Sequence, residues 1–474
     1  MKHTTTPVIA IGRPTFDLDH GATLVEAAWD RLDEGGFEPV GPRVISTELE
    51  TLDRLLDGFA ENPAGEATCV VVLQATFADS SLVARIDERL GLPLVIWSFP
   101  EQRTGGRLRL NSLCGANLAA YLLRRRRAAV GFVHADPAAA ESVAALVAAR
   151  DRAVAGPSGV ESAPRPAPPP AADNEHAGLL AGARLGVVGD APVGFEPCVG
   201  DDLALRRITG IGVDRVPLTA LFERADRTDA GARTATAGRV RAAMDVPTDV
   251  ATAGMDESIR LHEGLRTLAD RHGWAALATR CWPECMTEYG GAMCTPMAMM
   301  TEDGIPGVCE ADLYGAATAL MLRTVAGSDP FIADLVDVDR SDDTSAVWHC
   351  GVAPVTLADP TARPVAITHP NRHRALANQF ALRPGRVTVA RLSQARGEHT
   401  LVIGGAEMLS RPRPFVGTCG VLRWDGGVDR AVEVVFGRGL EHHLGIVYGD
   451  WRDELRSLAA SWGVPVVSLD AANA

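Results

Sequence analysis

Apolar residues in the first 150 positions gather into short unbroken runs, separated by segments with helical spacing. PVIAIGR, TCVVVLQATF and LPLVIWSFP are continuous and rich in β-branched residues, the pattern of strands buried on both faces. Between them Leu24, Ala27, Ala28 and Leu32 recur on one helical face from about Ala22 to Glu34. Further helices are expected from Glu48 to Ala60, from Ser80 to Leu90 and through LAAYLLRRRRAAV. Strands apolar throughout, alternating with helices, predict a parallel sheet covered on both sides.

Periodicity stops from Gly156 to about His176, where GPSGVESAPRPAPPPAADNEH is mostly Pro, Ala and Ser, the composition of a linker. A second α/β unit starts at ARLGVVGDAPVGF, whose GDAPVG lacks the spacing of a phosphate loop. Helical patterning covers Arg239 to Asp270 with a break at PTDVATAG, ALATRCWPE reads as a strand, and Ala311 to Val325 as a helix. After His349 the runs RPVAITHP, GRVTVARLSQ, HTLVIGGAEML, FVGTCGVLRW and RAVEVVFGRG are short, β-branched and divided by turns, which predicts antiparallel strands. The tail returns to helix from Trp451 to Trp462 and ends in the strand of WGVPVVSLD. The expected fold class is α/β, with two open parallel-sheet domains (1–154 and 179–348) joined by a linker (155–178). A β-rich, antiparallel, barrel-like C-terminal domain (349–474) follows.

Composition narrows the function classes. With 46% hydrophobic residues in 474, core-forming material is ample. A net charge of -14 argues against nucleic acid and anionic membranes as partners, since nothing offsets phosphate repulsion. The basic run Arg124 to Arg127 falls at a helix C-terminus, where it complements the helix dipole. Nine cysteines, scattered and odd in number, predict free buried thiols. Cys281 and Cys285 have CxxxC spacing, but no second close pair follows to complete a zinc site. No apolar run has the length of a membrane span or the placing of a signal peptide, so a cytoplasmic protein is expected.

Candidate chemistry concentrates between Cys281 and Gly351. Glu284, Glu310, Asp312, Asp334, Asp337 and His349 all sit beside apolar runs or glycines, where strands give way to loops. Open α/β proteins keep their sites at such strand ends. Carboxylates there either hold a hard divalent cation or move a proton at a carbon beside a carbonyl. Glu310 directly follows Val308–Cys309, and a carboxylate in so apolar a setting needs a metal, a cation or hydrogen bonds. His349, between VW and CG, reads as a hydrogen-bonded core histidine or as a ligand. His442 and His443 are adjacent, and alternation in a strand would send only one of them into the site.

The motifs RCWPE, CEAD, FIAD, WHCG and HHLGIVYGD, with GRPTF, QATFAD and WSFPEQRTGGRLRLNSLCG nearer the N-terminus, resemble those of the L-fucose isomerase-like proteins. These are relatives of the L-fucose/D-arabinose and L-arabinose isomerases, and the resemblance spans nearly the whole chain except the linker. It implies a homo-oligomer, trimer or hexamer, that uses Mn²⁺ or another divalent cation to interconvert an aldose and a ketose. By position, Glu310 and Asp334 resemble the catalytic, metal-binding carboxylates, joined by one of His442 and His443. His349 resembles a further histidine of the arabinose enzymes. Their FMED pattern would put its acid nearer Ala333, so Asp334 fits the fucose-type register and Asp337 is the alternative. Arg13, Trp97, Arg103, Asn111, Glu284 and His349 are the residues expected to face substrate. Such chemistry suits the residues, because a cation on two substrate oxygens stabilises an enediolate while carboxylates move the proton. Two other readings stay open. One is the same chemistry on a deoxy or anionic sugar such as a sulfonated hexose, gripped by arginines among Arg13, Arg103, Arg107 and Arg109. The other is a non-catalytic sugar-binding protein.

Overall fold

The computed structural model describes residues 5–61, 67–126, 130–155 and 178–470. The expected linker from Gly156 to His176 lies outside the described residues, as does Arg127 of the basic run.

The N-terminal sheet has six strands, all parallel. Thr6–Ile11 pairs with Pro39–Val40, Ile45–Ser46 and Val70–Gln74, and the sheet continues through Leu94–Ser98 to Gly131–His134. Alternation along the first strand feeds two cores. Val8 and Ala10 pack with Val25 and Ala28 of the helix Leu18–Glu34 and Leu146 of Ser142–Ala155. Ile9 and Ile11 join the core built from the helices Leu49–Glu61, Ser80–Leu90 and Ser112–Arg126. Helices on both faces are the reason Thr6–Ile11, Val70–Gln74 and Leu94–Ser98 are buried at every position.

The second sheet runs Gly307–Val308, Ala276–Thr279, Arg184–Val188, Gly212–Val216, again all parallel. Loops at the C-terminal ends of both parallel sheets converge: Arg13 follows Ile11, Trp282 follows Thr279, and Glu310 follows Val308.

The third sheet has nine strands and takes in Phe331–Asp339 and Thr344–His349, ahead of the expected boundary at 349. Most of its pairings are antiparallel. Two are not: Ala377–Ala381 lies parallel to Thr418–Trp424, and Thr400–Met408 parallel to Val466–Ser468. The sheet is therefore mixed, which corrects the antiparallel expectation. Parallel neighbours need a crossover, and the helix Arg452–Trp462 lies on the connection to the last strand. Thr400–Met408 also pairs with Thr418–Trp424 over Ala406↔Trp424 to Met408↔Leu422.

A second correction concerns RAVEVVFGRG, which forms the helix Val428–Arg438 in place of a strand. Its buried positions Val428, Ala431, Val434 and Val435 have helical spacing, and Gly439 ends the helix in the left-handed conformation at φ 61°. Burial of one face outweighed the β-branched composition. No described helix is long and apolar enough to cross a membrane.

The second and third sheets are locked by a buried ion pair. Arg391, on the strand Gly385–Ser393, donates from both terminal guanidinium nitrogens to Asp312, at 2.7 and 2.9 Å. Side-chain exposure is 0% for Arg391 and 1% for Asp312. Asp312 also caps the helix Leu313–Ala326 by accepting the Gly315 amide at 2.8 Å. A side chain on Gly315 would collide with the Asp312 carboxylate. Removing one partner strands the other charge in the interior. Arg391→Met should lower unfolding free energy by about 3–5 kcal/mol in urea titrations, whereas a surface pair such as Arg340–Asp429, cut by Asp429→Asn, should cost under about 1 kcal/mol.

Candidate functional site

Glu310 enters the site on a turn that side chains seldom adopt. Glu310 and Ala311 have φ of 62° and 53°, two consecutive left-handed residues without glycine. Each such residue carries a cost of roughly 1–3 kcal/mol and persists only where its surroundings hold it. Here the Ala311 amide donates to the Thr279 carbonyl at 3.1 Å, and the helix cap at Asp312 follows at once. The turn aims Glu310 away from the strand Gly307–Val308 and towards the third sheet.

Strand register brings the partners. Asp334 stands opposite His443 where Phe331–Asp339 pairs with His443–Tyr448. His349 ends the neighbouring strand, its Nδ1 at 3.1 Å from the Ile332 carbonyl. A carbonyl only accepts, so Nδ1 carries the proton and Nε2 keeps a lone pair. The Nδ1 of His443 lies 2.8 Å from Asp312 Oδ2 and is likewise the donor, which turns its Nε2 towards the other carboxylates. That Nε2 lies 3.6 Å from Glu310 Oε2 and 3.7 Å from Asp334 Oδ1.

Both histidines of the pair approach the carboxylates, contrary to the expectation from alternation. His442 precedes the strand that begins at His443, so the strand rule does not govern it. Its Nε2 lies 3.0 Å from Glu310 Oε2, and the two imidazole centroids are 4.0 Å apart.

The donor atoms form two overlapping groups, each within 4.8 Å: Cys198, Glu310, His442 and His443, and Asp334, His349 and His443. Their geometry fits a divalent cation. His443 Nε2 and Asp334 Oδ1 are buried without hydrogen-bond partners, an arrangement a dry interior penalises. They face each other across a gap too wide for a hydrogen bond, and a shared cation satisfies both. Burial pushes the Cys198 thiol well above its ordinary range. As an S–H it donates to Glu310 at 3.9 Å. Carboxylate oxygens and imidazole nitrogens suit a borderline-hard ion.

Charge balance holds the acids ionised. Burial alone would raise Glu310, but the hydrogen bond from His442 and the nearby His443 and His349 outweigh it and bring its pKa down to about 2. Burial opposes Asp312 too, yet Arg391 and His443 hold it far below the usual carboxylate range. Burial lowers His443, while Asp312, Glu310 and Asp334 more than restore it. His349 is lowered by burial, which suits a neutral ligand.

These groups border a cavity of about 680 Å³, counted to its open mouth. Of the residues expected to face substrate, Arg13, Asn111 and His349 line it together with Glu310, Asp334 and His442. Asn111 has φ 48°, its amide donates to Glu101 at 2.6 Å, and its buried Oδ1 has no partner. Trp97, Arg103 and Glu284 are not among the lining residues. Trp97 is fully buried and donates to the Ala135 carbonyl at 3.0 Å. Arg103 donates to Asp337 at 2.7 Å and to Thr344 at 2.9 Å. Glu284 accepts two bonds from Arg280, at 2.7 and 2.8 Å. Asp337, held by Arg103 and by the Glu101 amide at 3.0 Å, is committed away from the cluster. Sequence reasoning passed over Cys198 in the donor cluster and His369 and Arg372 at the cavity. For Arg372 the one available signal was the basic string NRHR in an acidic chain.

Three bacterial proteins, each described as a sulfoquinovose isomerase, resemble the chain over nearly its whole length. That of Priestia megaterium is 28% identical over 464 residues, covering 97% of both chains. That of Alkalicoccus urumqiensis is 27% identical over 475 residues, covering 98% of this chain and 99% of its own. That of Clostridium sp. (strain MSTE9) is 28% identical over 462 residues, covering 95% and 96%. These values mark a distant relationship to sulfoquinovose isomerases. No family model matches the chain. A glucose-galactose binding protein from Geobacillus stearothermophilus superposes with a TM-score of 0.20 at 14% identity over 69% of this chain and 92% of its own, too low to bear on the fold.

The donor set predicts measurable metal binding. In calorimetric titrations with Mn²⁺, Glu310→Gln should weaken affinity by more than the roughly 10–100-fold typical of an outer partner. Asp337→Asn should leave it unchanged. Equal affinities in wild type and Glu310→Gln would remove Glu310 from the ligand set.

Proposed function

We propose that the chain is a divalent-metal-dependent aldose–ketose isomerase whose substrate is a sulfonated hexose. The observation that carries this reading is the convergence of Glu310, Asp334 and three imidazoles beside a cavity that Arg13 and Arg372 also line. The full-length similarity to sulfoquinovose isomerases favours a sulfonated substrate over a neutral one.

Glu310, Asp334 and His443 are the proposed ligands, with His442 and His349 completing the set. When bound, a cation such as Mn²⁺ supplies Lewis-acid stabilisation of the negative charge that develops on the two substrate oxygens. Glu310 and Asp334 then act on protons. One carboxylate takes the proton from C2 of the aldose, and the C–H electron pair becomes the C1–C2 double bond of an enediolate. The proton returns to C1 while the hydroxyl proton passes from O2 to O1, so no redox cofactor is consumed. His443, fixed by Asp312, keeps its Nε2 directed at these carboxylates. Phe77, Phe195 and Trp282 wall the cavity and keep water from the planar intermediate. We also infer a homo-oligomer, trimer or hexamer, working in the cytoplasm.

In D₂O, the Mn²⁺-loaded protein should convert sulfoquinovose to its 2-ketose, with deuterium entering at the exchanged carbon, followed by proton NMR. Asp334→Asn should lower turnover by about 10²–10⁴-fold, as expected for loss of an acid–base group. Conversion at the wild-type rate after exhaustive chelation would refute the metal-dependent mechanism.

A further inference from the structure

Arg372 sits on the loop between the strands Val365–Ile367 and Ala377–Ala381, and the loop is braced. The His369 carbonyl accepts the amides of Arg372 and His373, at 3.2 and 2.9 Å, and the His369 amide donates to the Arg374 carbonyl at 2.7 Å. Asn371 accepts from Arg107 Nε at 2.9 Å, which ties the loop to the N-terminal domain. His373 turns the chain at φ 55°. The result is a half-buried guanidinium held at the cavity wall.

Its partners are unusual for an arginine. The Arg372 guanidinium carbon lies 4.5 Å from the centroid of Trp282, and that of Arg13 lies 5.1 Å from the same ring. Arg13 has a counter-ion in Asp79, with which it forms a close ion pair. Among the described residues no carboxylate is in ion-pair range of Arg372. The two guanidiniums and the single carboxylate leave a net charge of +1 at this end of the cavity. Burial, reinforced by the positive charge of Arg13, lowers the pKa of Arg372.

Trp282 sets the distance to the carboxylates. Its Nε1 donates to Glu310 Oε1 at 3.3 Å, while both guanidiniums lie over its ring. Roughly one indole therefore separates the metal-type cluster from the arginines. A hexose spans roughly 6 Å from C1 to C6, five carbon–carbon bonds of about 1.5 Å in extended form. With O1 and O2 at the carboxylate cluster, the C6 substituent reaches the guanidiniums.

We propose that Arg372, with Arg13 beside it on Trp282, is the subsite for the anionic group at C6 of the sugar, and that its net charge of +1 selects a sulfonate monoanion over a phosphate dianion. A planar guanidinium donates two parallel bonds to such a tetrahedral oxyanion. The subsite has this meaning only if the cavity takes a hexose, as proposed above.

Calorimetry with sugar alcohols, which cannot isomerise, separates the two ideas. The Mn²⁺-loaded protein is titrated with 6-deoxy-6-sulfoglucitol, uncharged 6-deoxyglucitol and glucitol 6-phosphate. Wild type should bind the sulfonate about 10–100-fold tighter than the uncharged alcohol, as a charge-assisted pair confers, and tighter than the phosphate. Arg372→Met should erase that preference while leaving affinity for 6-deoxyglucitol unchanged. Arg372→Lys keeps the charge without the fork and should retain part of it, and it replaces Arg372→Met in the comparison if the latter does not fold. An Arg372→Met preference equal to wild type overturns the assignment and leaves the isomerase reading intact. Wild type binding both alcohols equally overturns the sulfonate subsite while the cavity remains a sugar site. Binding of none of the three overturns both.

Discussion

The Asp312 carboxylate is the constraint on which the rest of the site depends. It is fully buried and meets three demands at once: the two-pronged Arg391 guanidinium, the Gly315 amide at the helix start, and the Nδ1 of His443. Each bond fixes a different element, respectively a strand of the third sheet, the helix Leu313–Ala326 and the strand His443–Tyr448. An ionised acid in an apolar interior is tolerable only because all these partners are present. Through His443 the same carboxylate sets which imidazole nitrogen faces Glu310 and Asp334. Stability and site geometry are thus linked through one side chain, and the strained turn at Glu310 and Ala311 is held in place by the cap that follows it.

Around this anchor the site is assembled from three sheets. The two parallel sheets contribute loops from their C-terminal edges, where topology gathers ligand-binding groups. The mixed sheet contributes pairing register, which sets Asp334 opposite His443. Loops supply Arg13, Trp282 and Arg372, the braced turn before the capped helix supplies Glu310, and strands or their edges supply Asp334, His349, His442 and His443. A cavity built this way keeps its reacting groups rigid and leaves specificity to the loops.

Much of this was legible in the sequence because local pattern and tertiary outcome agree. The strands Val70–Gln74 and Leu94–Ser98 are buried on both faces, and their unbroken apolar runs say so. Glu310 was conspicuous as an acid placed directly after a buried Val–Cys pair. What escaped was set by residues far apart in the chain. Arg103 looks equally suited to a ligand or to Asp337, and only the fold gives it the latter. Trp97 is likewise occupied by a distant partner, the Ala135 carbonyl, whereas Glu284 is taken by Arg280 only four residues before it. Val428–Arg438 misled through its valines, whose burial on one helical face decided the conformation. Arg372 lies in an irregular loop, where periodicity carries no information, and its significance rests on what does not pair with it.

A metal centre at the meeting point of the three sheets can be tested by diffraction. Crystals soaked in MnCl₂ and measured above the manganese absorption edge should give one dominant anomalous peak, ligated by Glu310, Asp334 and His443 Nε2. Manganese-saturated crystals with no peak between these residues, or with the ion held only by the buried cysteines, would contradict the metal site and the isomerase chemistry built on it.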